Sequence, residues 1–342
     1  MQKNTHNISA MIMIISIFLL LFTFISCTKE NCGVECTKKS EINNIKIDSI
    51  PSKQDSSVRF GVMSDIQDKT QNHVYFTKAF NNLSVDAIII AGDTSNRKTS
   101  IDGKTDYDES YSMLEDIVKN TELPVYVIPG NHESKDDYYK VIGKLSESHS
   151  NIFDLTTGIK EFKGISIIPL PGYHLKNMVV DGGFLFNNVM DYYPLKDCLM
   201  DPNSDPEEEQ SCRLGKSKIS LLVAHGPQKG KNKDSIDAIL SEDNTDNTDT
   251  WQNVGNQQIN ELMLNTDIHF GIFGHIHEAG MKAVDENDNV VEEGVWSDKL
   301  NLNAGPVIEW DMNDGTHSKG SAGIIEVDVE NNNARYYILK VK

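Results

Sequence analysis

The chain has 342 residues, of which 38% are hydrophobic and 24% are charged, and its formal net charge at pH 7 is −19. This length and composition are typical of a globular protein with one large domain or two small ones. The negative charge argues against nucleic acid or an anionic membrane surface as a partner, because like charges repel and binding would release no counterions.

The N-terminus is a long apolar run. After Lys3, the stretch AMIMIISIFLLLFTFIS has the length of a signal-peptide core and is short for a membrane span. It ends at Ser26 and Cys27, a small residue before a cysteine, which resembles the bacterial lipobox. The resemblance implies a signal peptide over residues 1–26, an acylated Cys27, and a polar tether over residues 27–57. An uncleaved anchor is the alternative. Both place the mature chain outside the cytoplasm, in the periplasm or at the surface of a bacterium.

The other cysteines fall into two close pairs. The chain has five cysteines, and without Cys27 an even number remains, namely Cys32 with Cys36 and Cys198 with Cys212. In an exported chain each pair could close a small disulfide, but spacing alone also allows free thiols.

From residue 58, apolar runs that end in polar clusters alternate with helix-like stretches. The runs are VRFGVMSD, DAIIIAGD, PVYVIPGNHE, ISIIPLPGYH, KISLLVAHGP and IHFGIFGHIH. Helical periodicity appears in HVYFTKAFNNL, DESYSMLEDIVKN and QQINELMLN. Buried strands that alternate with helices predict an α/β domain over residues 58–342. GIIEVDVE and ARYYILKV flank NNN, which predicts a closing antiparallel hairpin.

Polar side chains follow the predicted strands at the point where each strand ends. They are Asp65 and Gln67, Asp93, Asn131 and His132, His225, and His275 and His277. Ligands bind beyond the carboxyl ends of strands in open α/β sheets, so we expect these side chains to converge. Carboxylate, amide and imidazole groups without thiolates suit zinc, manganese or iron(II). Their number suits two metals, about 3.5–4 Å apart, that share a bridging carboxylate.

Glycines at the turns favour a site over packed histidines. Gly92, Gly130, Gly226 and Gly274 each stand beside one of these polar residues. Glycine permits a tight turn and lets the backbone approach closely, which a merely packed histidine would not require.

The ordered series DxQ, GD, GNHE, HG and GHxH resembles the calcineurin-like metallophosphoesterase superfamily from Asp65 to His277. The resemblance implies a four-layer α/β/β/α sandwich of mixed sheets with a two-metal site at the strand ends. By the same resemblance, Asp65, Gln67 and His277 hold one metal, and Asn131, His225 and His275 hold the other. Asp93 bridges both, and His132 is the catalytic residue near the leaving group or a phosphoryl oxygen.

Several positions depart from the family pattern or lie outside it. Gln67 stands where most members have histidine, a variant that resembles the manganese-dependent ADP-ribose and CDP-alcohol diphosphatases. Asn96 stands where protein phosphatases place an aspartate that orients the catalytic histidine, and Arg97 beside it could bind phosphate. His174, with its neighbour Tyr173, ends a predicted strand and is a possible substrate contact.

The sequence therefore predicts a binuclear metallophosphoesterase. Its metals would be two divalent ions (Mn, Fe or Zn), and its substrate a small phosphoester or nucleotide pyrophosphate rather than a nucleic acid. A metal-bridging hydroxide would attack phosphorus, with His132 as acid or phosphate stabiliser. Two alternatives stay open, a surface-tethered binding lipoprotein with a degenerate site and a metal-dependent nuclease. The long segments 176–217 and 228–256 are expected to border the pocket, and Asn303 could shape it.

Overall fold

The structure, a computed structural model, describes residues 44–47, 50–67, 71–96, 106–189, 215–243 and 248–342. The predicted signal peptide, Cys27 and the first part of the predicted tether lie outside these residues, as do the four remaining cysteines and Arg97. Within the described part of the chain, no helix is long and apolar enough to span a membrane.

Two mixed sheets form the domain. The first has the order β1 (Ile45–Lys46), β18 (Asn333–Val341), β17 (Ser321–Asp328), β2 (Ser57–Met63), β3 (Ala87–Ala91), β4 (Val125–Ile128), β5 (Ile152–Asp154). Strands β2 to β5 run parallel, and β17 pairs antiparallel with both β2 and β18. The antiparallel hairpin predicted at the C-terminus is therefore confirmed.

The second sheet also combines parallel and antiparallel pairs. Its order is β13 (Val290–Val291), β12 (Lys282–Val284), β14 (Leu300–Asn303), β11 (Ile268–Phe273), β8 (Ile219–Ala224), β7 (Ile165–Leu170), β6 (Lys160–Phe162). Strands β7, β8, β11 and β14 run parallel. Two separate antiparallel pairs are β9 (Ala238–Asp243) with β10 (Thr248–Asn253) and β15 (Trp310–Asp311) with β16 (His317–Ser318).

The helices are α1 (Asn72–Asn82), α2 (Asp106–Lys119), α3 (Lys135–Ser148) and α4 (Gln257–Asn265). The sequence predicted α1, α2 and α4 to within two residues at each end, but it did not predict α3. Helix α3 begins where the Ser134 side chain accepts a hydrogen bond from the Asp137 amide, and it buries Tyr138, Val141 and Leu145. Two mixed sheets with few helices agree with the predicted α/β class.

The central strands of the first sheet, β2, β3, β4, β17 and β18, contribute to two cores. In β2, Val58, Phe60 and Val62 pack with residues of the second sheet such as Leu221 and Phe270. Side chains alternate across a strand, so the intervening residues face the helices on the other side of the sheet. A third apolar cluster joins α4 to the outer face of the second sheet. This packing fixes the strands, and therefore the loops at their carboxyl ends.

The folded domain begins before residue 58, where the sequence placed the end of the tether. Ile45 pairs with Val341 at the edge of the first sheet, and both Ile45 and Ile50 are buried. Isoleucines scattered through a polar stretch do not form a sustained alternation or helical period, so the sequence did not mark a strand here. The segment is held by its pairing with β18 rather than by an amphipathic pattern of its own.

A buried ionic cluster on the helical face of the first sheet involves Arg59. The Arg59 guanidinium donates to Glu326 Oε2 at 2.8 Å, and Arg335 Nε donates to the same oxygen at 3.1 Å. Burial works to raise the pKa of Glu326, but the Ser57 hydrogen bond and the Arg59 charge hold it below its usual value. The ionised Glu326 carboxylate therefore stabilises the folded chain at any pH above the pKa that this group has in the unfolded chain. This contribution is lost as the pH falls through the lower pKa of the folded chain.

We expect Glu326→Gln to lower the free energy of unfolding by about 3 kcal/mol, because it leaves the Arg59 charge buried without its counter-charge. Urea unfolding at pH 7 measures the change. The control is Asp234→Asn, which breaks the exposed pair with Lys233 and should change stability by less than about 0.5 kcal/mol. An effect of Glu326→Gln no larger than that of the control would contradict this prediction.

Candidate metal centre

The polar residues predicted to converge do lie together, at the carboxyl ends of the parallel strands of the two sheets. Asp65 follows β2, Asp93 follows β3, and Asn131 and His132 follow β4 in the first sheet. His225 follows β8 in the second sheet, and His275 and His277 follow β11. The parallel strands within each sheet bring these carboxyl ends together, so residues about 210 positions apart contact one another: the His275 amide donates to Asp65 Oδ2 at 3.0 Å.

Three of these residues have left-handed backbone conformations. The φ angles are 52° at Asp65, 54° at Asp93 and 65° at His275. Such angles are uncommon for residues other than glycine and cost roughly 1–3 kcal/mol each, so they persist only where the surrounding structure holds them. Strained backbone at three polar residues of one cluster indicates that these turns are held in place because they position the three side chains.

Oxygen and nitrogen lone pairs converge around His225. Its Nδ1 lies 2.8 Å from the Ala91 carbonyl oxygen, so Nδ1 carries a proton and donates it there. Its Nε2 faces Asn131 Oδ1 at 2.9 Å and Asp93 Oδ2 at 3.2 Å. A neutral His225 would therefore direct a lone pair at two oxygen acceptors. A positive charge among these atoms, from a proton or a metal ion, resolves the conflict.

The pKa shifts of two histidines agree with a site that favours positive charge. Burial works to lower the pKa of His225, but Asp93 and then Asp65 raise it to about 10. Burial, followed by the charge of His225, lowers the pKa of His275 to about 3, so its imidazole is neutral and able to act as a ligand. Ligand atoms of Asp93, His225 and His275 all lie within 4.8 Å of one another.

A second group of atoms lies beside the first. Asp65 Oδ1 and His277 Nε2 are 3.0 Å apart, yet this buried oxygen makes no hydrogen bond within the described part of the chain. Burial tends to raise the pKa of Asp65, but His277 holds it well below its usual range. Asp65 Oδ1 is also 4.0 Å from His225 Nε2, so the two groups adjoin. Gln67 is buried and lines the same cavity.

These atoms fit divalent cations. The donor set is carboxylate, amide oxygen and imidazole, which suits zinc, manganese or iron(II). The second polar atom of two of these residues is already hydrogen-bonded: Asn131 Nδ2 donates to the Met178 carbonyl at 2.7 Å, and His225 Nδ1 donates to the Ala91 carbonyl. Such outer contacts orient the remaining atom toward a metal.

His132 lies at the cavity next to Asp93, with its ring Nδ1 3.5 Å from Asp93 Oδ2. Its backbone amide donates to Asp93 Oδ1 at 3.0 Å, and its ring lines the cavity and is partly exposed. Its Nδ1 is 3.3 Å from the Ser95 carbonyl oxygen, which leaves Nε2 for another partner. Asn96, predicted to orient His132, also lines the cavity, but the orienting contact that the structure describes comes from Ser95.

Other predicted contacts are placed differently. Tyr173 lines the cavity and its ring centroid lies 4.0 Å from that of His275, whereas His174 lies outside the cavity lining and packs on Phe186. Asn303 is buried and donates to the Ile276 carbonyl at 2.9 Å, which holds the loop between the two histidines.

Glu133 was not predicted as a site residue, and it connects the loop after β3 to the loop after β4. Its carboxylate accepts from the Thr94 backbone amide, from Thr94 Oγ1 at 2.9 Å and from the Gly130 amide at 2.8 Å. Burial, then the charge of Asp93, raises the pKa of Glu133 to about 7. The signal was present as the glutamate after GNH, but nothing in the sequence alone shows that it bonds to the preceding loop.

Gly130 is required by close packing on Asp93. A Cβ at this position would lie 2.1 Å from Asp93 Oδ1 and 2.7 Å from the Asp93 backbone nitrogen. We expect Gly130→Ala to displace the Asp93 carboxylate and weaken Mn²⁺ binding about 10–100-fold, as loss of a ligand's support does. Isothermal titration calorimetry with MnCl₂ measures the change. Gly143→Ala is the control, because a Cβ there meets nothing within 4 Å, and equal affinities in the two variants would refute the argument.

Residues 58–279 match the calcineurin-like phosphoesterase family. No curated protein matches the chain significantly. Among solved structures, the protein TT1561 of Thermus thermophilus is similar with a TM-score of 0.50 and 10% identity, over 82% of this chain and 97% of that one. Another has a TM-score of 0.52 and 10% identity, over 82% of this chain and 98% of the other. A novel archaeal phosphodiesterase has a TM-score of 0.33 and 15% identity, over 82% of this chain and 99% of that one.

Proposed function

The chain belongs to the calcineurin-like phosphoesterase family, and from that premise we propose that it is a binuclear metallohydrolase of phosphoesters or nucleotide pyrophosphates. The observation that carries the proposal is the convergence of Asn131 Oδ1 and Asp93 Oδ2 on His225 Nε2, a set of lone pairs that a metal ion would satisfy in place of a proton. The neighbouring Asp65 and His277 supply a second, adjoining group of donors.

The proposed ligands divide into two sets that share one carboxylate. Asp65, Gln67 and His277 hold one ion, and Asn131, His225 and His275 hold the other, with Asp93 common to both. The 4.0 Å contact between Asp65 Oδ1 and His225 Nε2 supports adjoining positions for the two ions. Gln67 supplies a neutral amide oxygen, and the variant resembles manganese-dependent members, so we place Mn²⁺ first among the metals to test.

When bound, divalent ions neutralise charge on phosphoryl oxygens and make water a stronger nucleophile. The protein's own groups orient the substrate and move protons. His132 is fixed by its backbone bond to Asp93 and by the Ser95 carbonyl at Nδ1, so Nε2 is the ring atom that would donate a proton to the leaving oxygen when the ring is protonated.

A metal-by-substrate screen tests the proposal. The full chain, freed of metal and reloaded with Mn²⁺, Fe²⁺ or Zn²⁺, is assayed with p-nitrophenyl phosphate, bis-p-nitrophenyl phosphate and ADP-ribose. We expect turnover of at least one substrate that requires added metal and is abolished by a chelator. No turnover in any combination would favour a binding protein instead.

We further propose that the chain is exported and anchored through an acyl group on Cys27, where it meets small phosphorylated substrates rather than nucleic acid. The apolar run before Cys27 and the negative net charge support this. Labelled palmitate should be incorporated by the wild-type chain and not by Cys27→Ser. Equal labelling of both would remove Cys27 as the site.

A further inference from the structure

The cavity at the candidate metal centre has a volume of about 700 Å³, large enough for an organic molecule rather than a phosphate ion alone. Its lining includes the polar cluster around Asp93. It also includes six apolar residues, here called the apolar wall: Leu175, Met178, Ile239, Val254, Ile308 and Trp310. Of the two segments predicted to border the pocket, 176–217 contributes Met178 to this lining, and 228–256 contributes Ile239 and Val254.

Two residues of the apolar wall contact candidate metal ligands. The Trp310 ring meets the His277 ring edge-on, with centroids 4.3 Å apart and an interplanar angle of 88°. Among the candidate ligands around His225, Asn131 donates a hydrogen bond from Nδ2 to the carbonyl oxygen of Met178. A phosphoryl group held at the polar cluster would therefore place its organic substituent directly on apolar side chains.

The strand pair that carries Trp310 is anchored on this side of the cavity. The Asn313 amide donates to the Glu278 carbonyl at 3.2 Å, and Asn313 Nδ2 donates to the Ala238 carbonyl at 2.7 Å. Both acceptors lie beside cavity residues, Glu278 in the lining itself and Ala238 next to Ile239. The apolar wall is thus tied to the loop that bears His277.

The charges of the lining disfavour an anionic substituent. Glu278 and Glu309 also line the cavity, and the described part of the lining contains no lysine or arginine. A second phosphate or a carboxylate on the substrate would meet like charges in a partly desolvated space without a cation from these residues.

We infer that the substrates are phosphoesters whose organic group is apolar and carries no negative charge. This inference rests on the proposed function, because it assumes that the phosphoryl group binds at the polar cluster. It also orders the two substrate classes left open above, placing phosphoesters of apolar alcohols ahead of nucleotide pyrophosphates.

A series of p-nitrophenyl alkyl phosphates tests the inference with the full chain loaded with Mn²⁺. Water adds to phosphorus, the bond to p-nitrophenolate breaks with its electron pair, and the alkyl phosphate and one proton are released. From methyl to butyl to hexyl, kcat/KM should rise by up to about fourfold for each methylene that becomes buried, and at least about tenfold over the series. The 5-carboxypentyl ester matches the hexyl ester in length and should be at least about tenfold slower. A flat series, or equal rates for these two esters, would overturn the inference.

Matched variants test whether the preference for longer alkyl esters arises at the apolar wall. Trp310→Ala should lower the ratio of hexyl to methyl kcat/KM, and Ile239→Ala is a second, milder test if Trp310→Ala does not fold. Trp251→Ala is the control, because Trp251 pairs with Leu240 on the opposite face of the strand pair from Ile239 and lies outside the cavity lining. A ratio that falls equally in Trp310→Ala and Trp251→Ala would count against the apolar wall.

Binding separates failure of the inference from failure of the proposed function. Hexylphosphonate and methylphosphonate are titrated into the same Mn²⁺-loaded chain by calorimetry. If no ester is hydrolysed but hexylphosphonate binds at least about tenfold more tightly, the hydrolase proposal fails and the apolar recognition stands. If esters are hydrolysed and the two phosphonates bind equally, the hydrolase proposal stands and the inference fails.

Discussion

Replacing Asp93 by asparagine is expected to remove at least one equivalent of bound metal and to lower kcat/KM more than about 100-fold, beyond the 10–100-fold cost of losing a supporting contact. Asp93 Oδ2 lies 3.2 Å from His225 Nε2, and Oδ1 accepts the His132 amide at 3.0 Å. An asparagine can keep one of these contacts through its oxygen, but its NH₂ group cannot act as a ligand on the other side. Elemental analysis of the purified variant and assays with p-nitrophenyl phosphate measure both effects.

Asp311→Asn is the matched control for Asp93→Asn. It makes the same change of charge on a residue that is 90% exposed and adjoins the cavity wall at Trp310. We expect this variant to keep its metal and most of its activity, because an exposed charge is screened by solvent. Full metal occupancy in Asp93→Asn would show that this carboxylate is not a ligand, and the shared-ligand assignment would then be wrong.

The sequence predicted those parts of the site that depend on strand ends. The stretches VRFGVMSD, DAIIIAGD and IHFGIFGHIH each form one buried strand followed by one turn. The polar residue of the turn lies at the carboxyl end of its strand, and this placement depends only on the local sequence. The left-handed φ angles at Asp65, Asp93 and His275 could not be predicted, since sterics disfavour them for these residue types. Tertiary contacts impose them.

Contacts between distant loops are the part that sequence reasoning missed. Trp310 lies on a two-residue strand whose partner is equally short, so neither period nor length marks it. Its position against His277 follows from the Asn313 hydrogen bonds to Glu278 and Ala238, which no local pattern encodes. Helix α3 is a different case, because Ser134, two acidic residues in the first turn and regularly spaced apolar residues were all readable.

His132→Ala is expected to lower kcat by about 10²–10⁴-fold while the metal content stays that of the wild type. The reason is geometric: the backbone amide of His132 hydrogen-bonds to Asp93, and alanine retains that amide. The ring also lies near Asp93, with Nδ1 3.5 Å from Oδ2, but it is not among the proposed metal ligands. Loss of the ring therefore removes a cavity group and no proposed ligand. Metal content that falls in parallel with kcat would make His132 a ligand instead.

The leaving group decides between the two roles that remain for His132. A general acid matters most when the departing oxygen is strongly basic, as in an alkyl ester, and least for p-nitrophenolate, which leaves without a proton. If Nε2 of His132 donates that proton, the loss of kcat in His132→Ala should be at least about tenfold larger for an alkyl phosphomonoester than for p-nitrophenyl phosphate. If the ring stabilises a phosphoryl oxygen, the two losses should be equal, because the phosphoryl group is the same in both substrates. The Ser95 carbonyl lies 3.3 Å from Nδ1, so Nε2 is the ring atom left to meet the leaving oxygen, which is why we expect the unequal result.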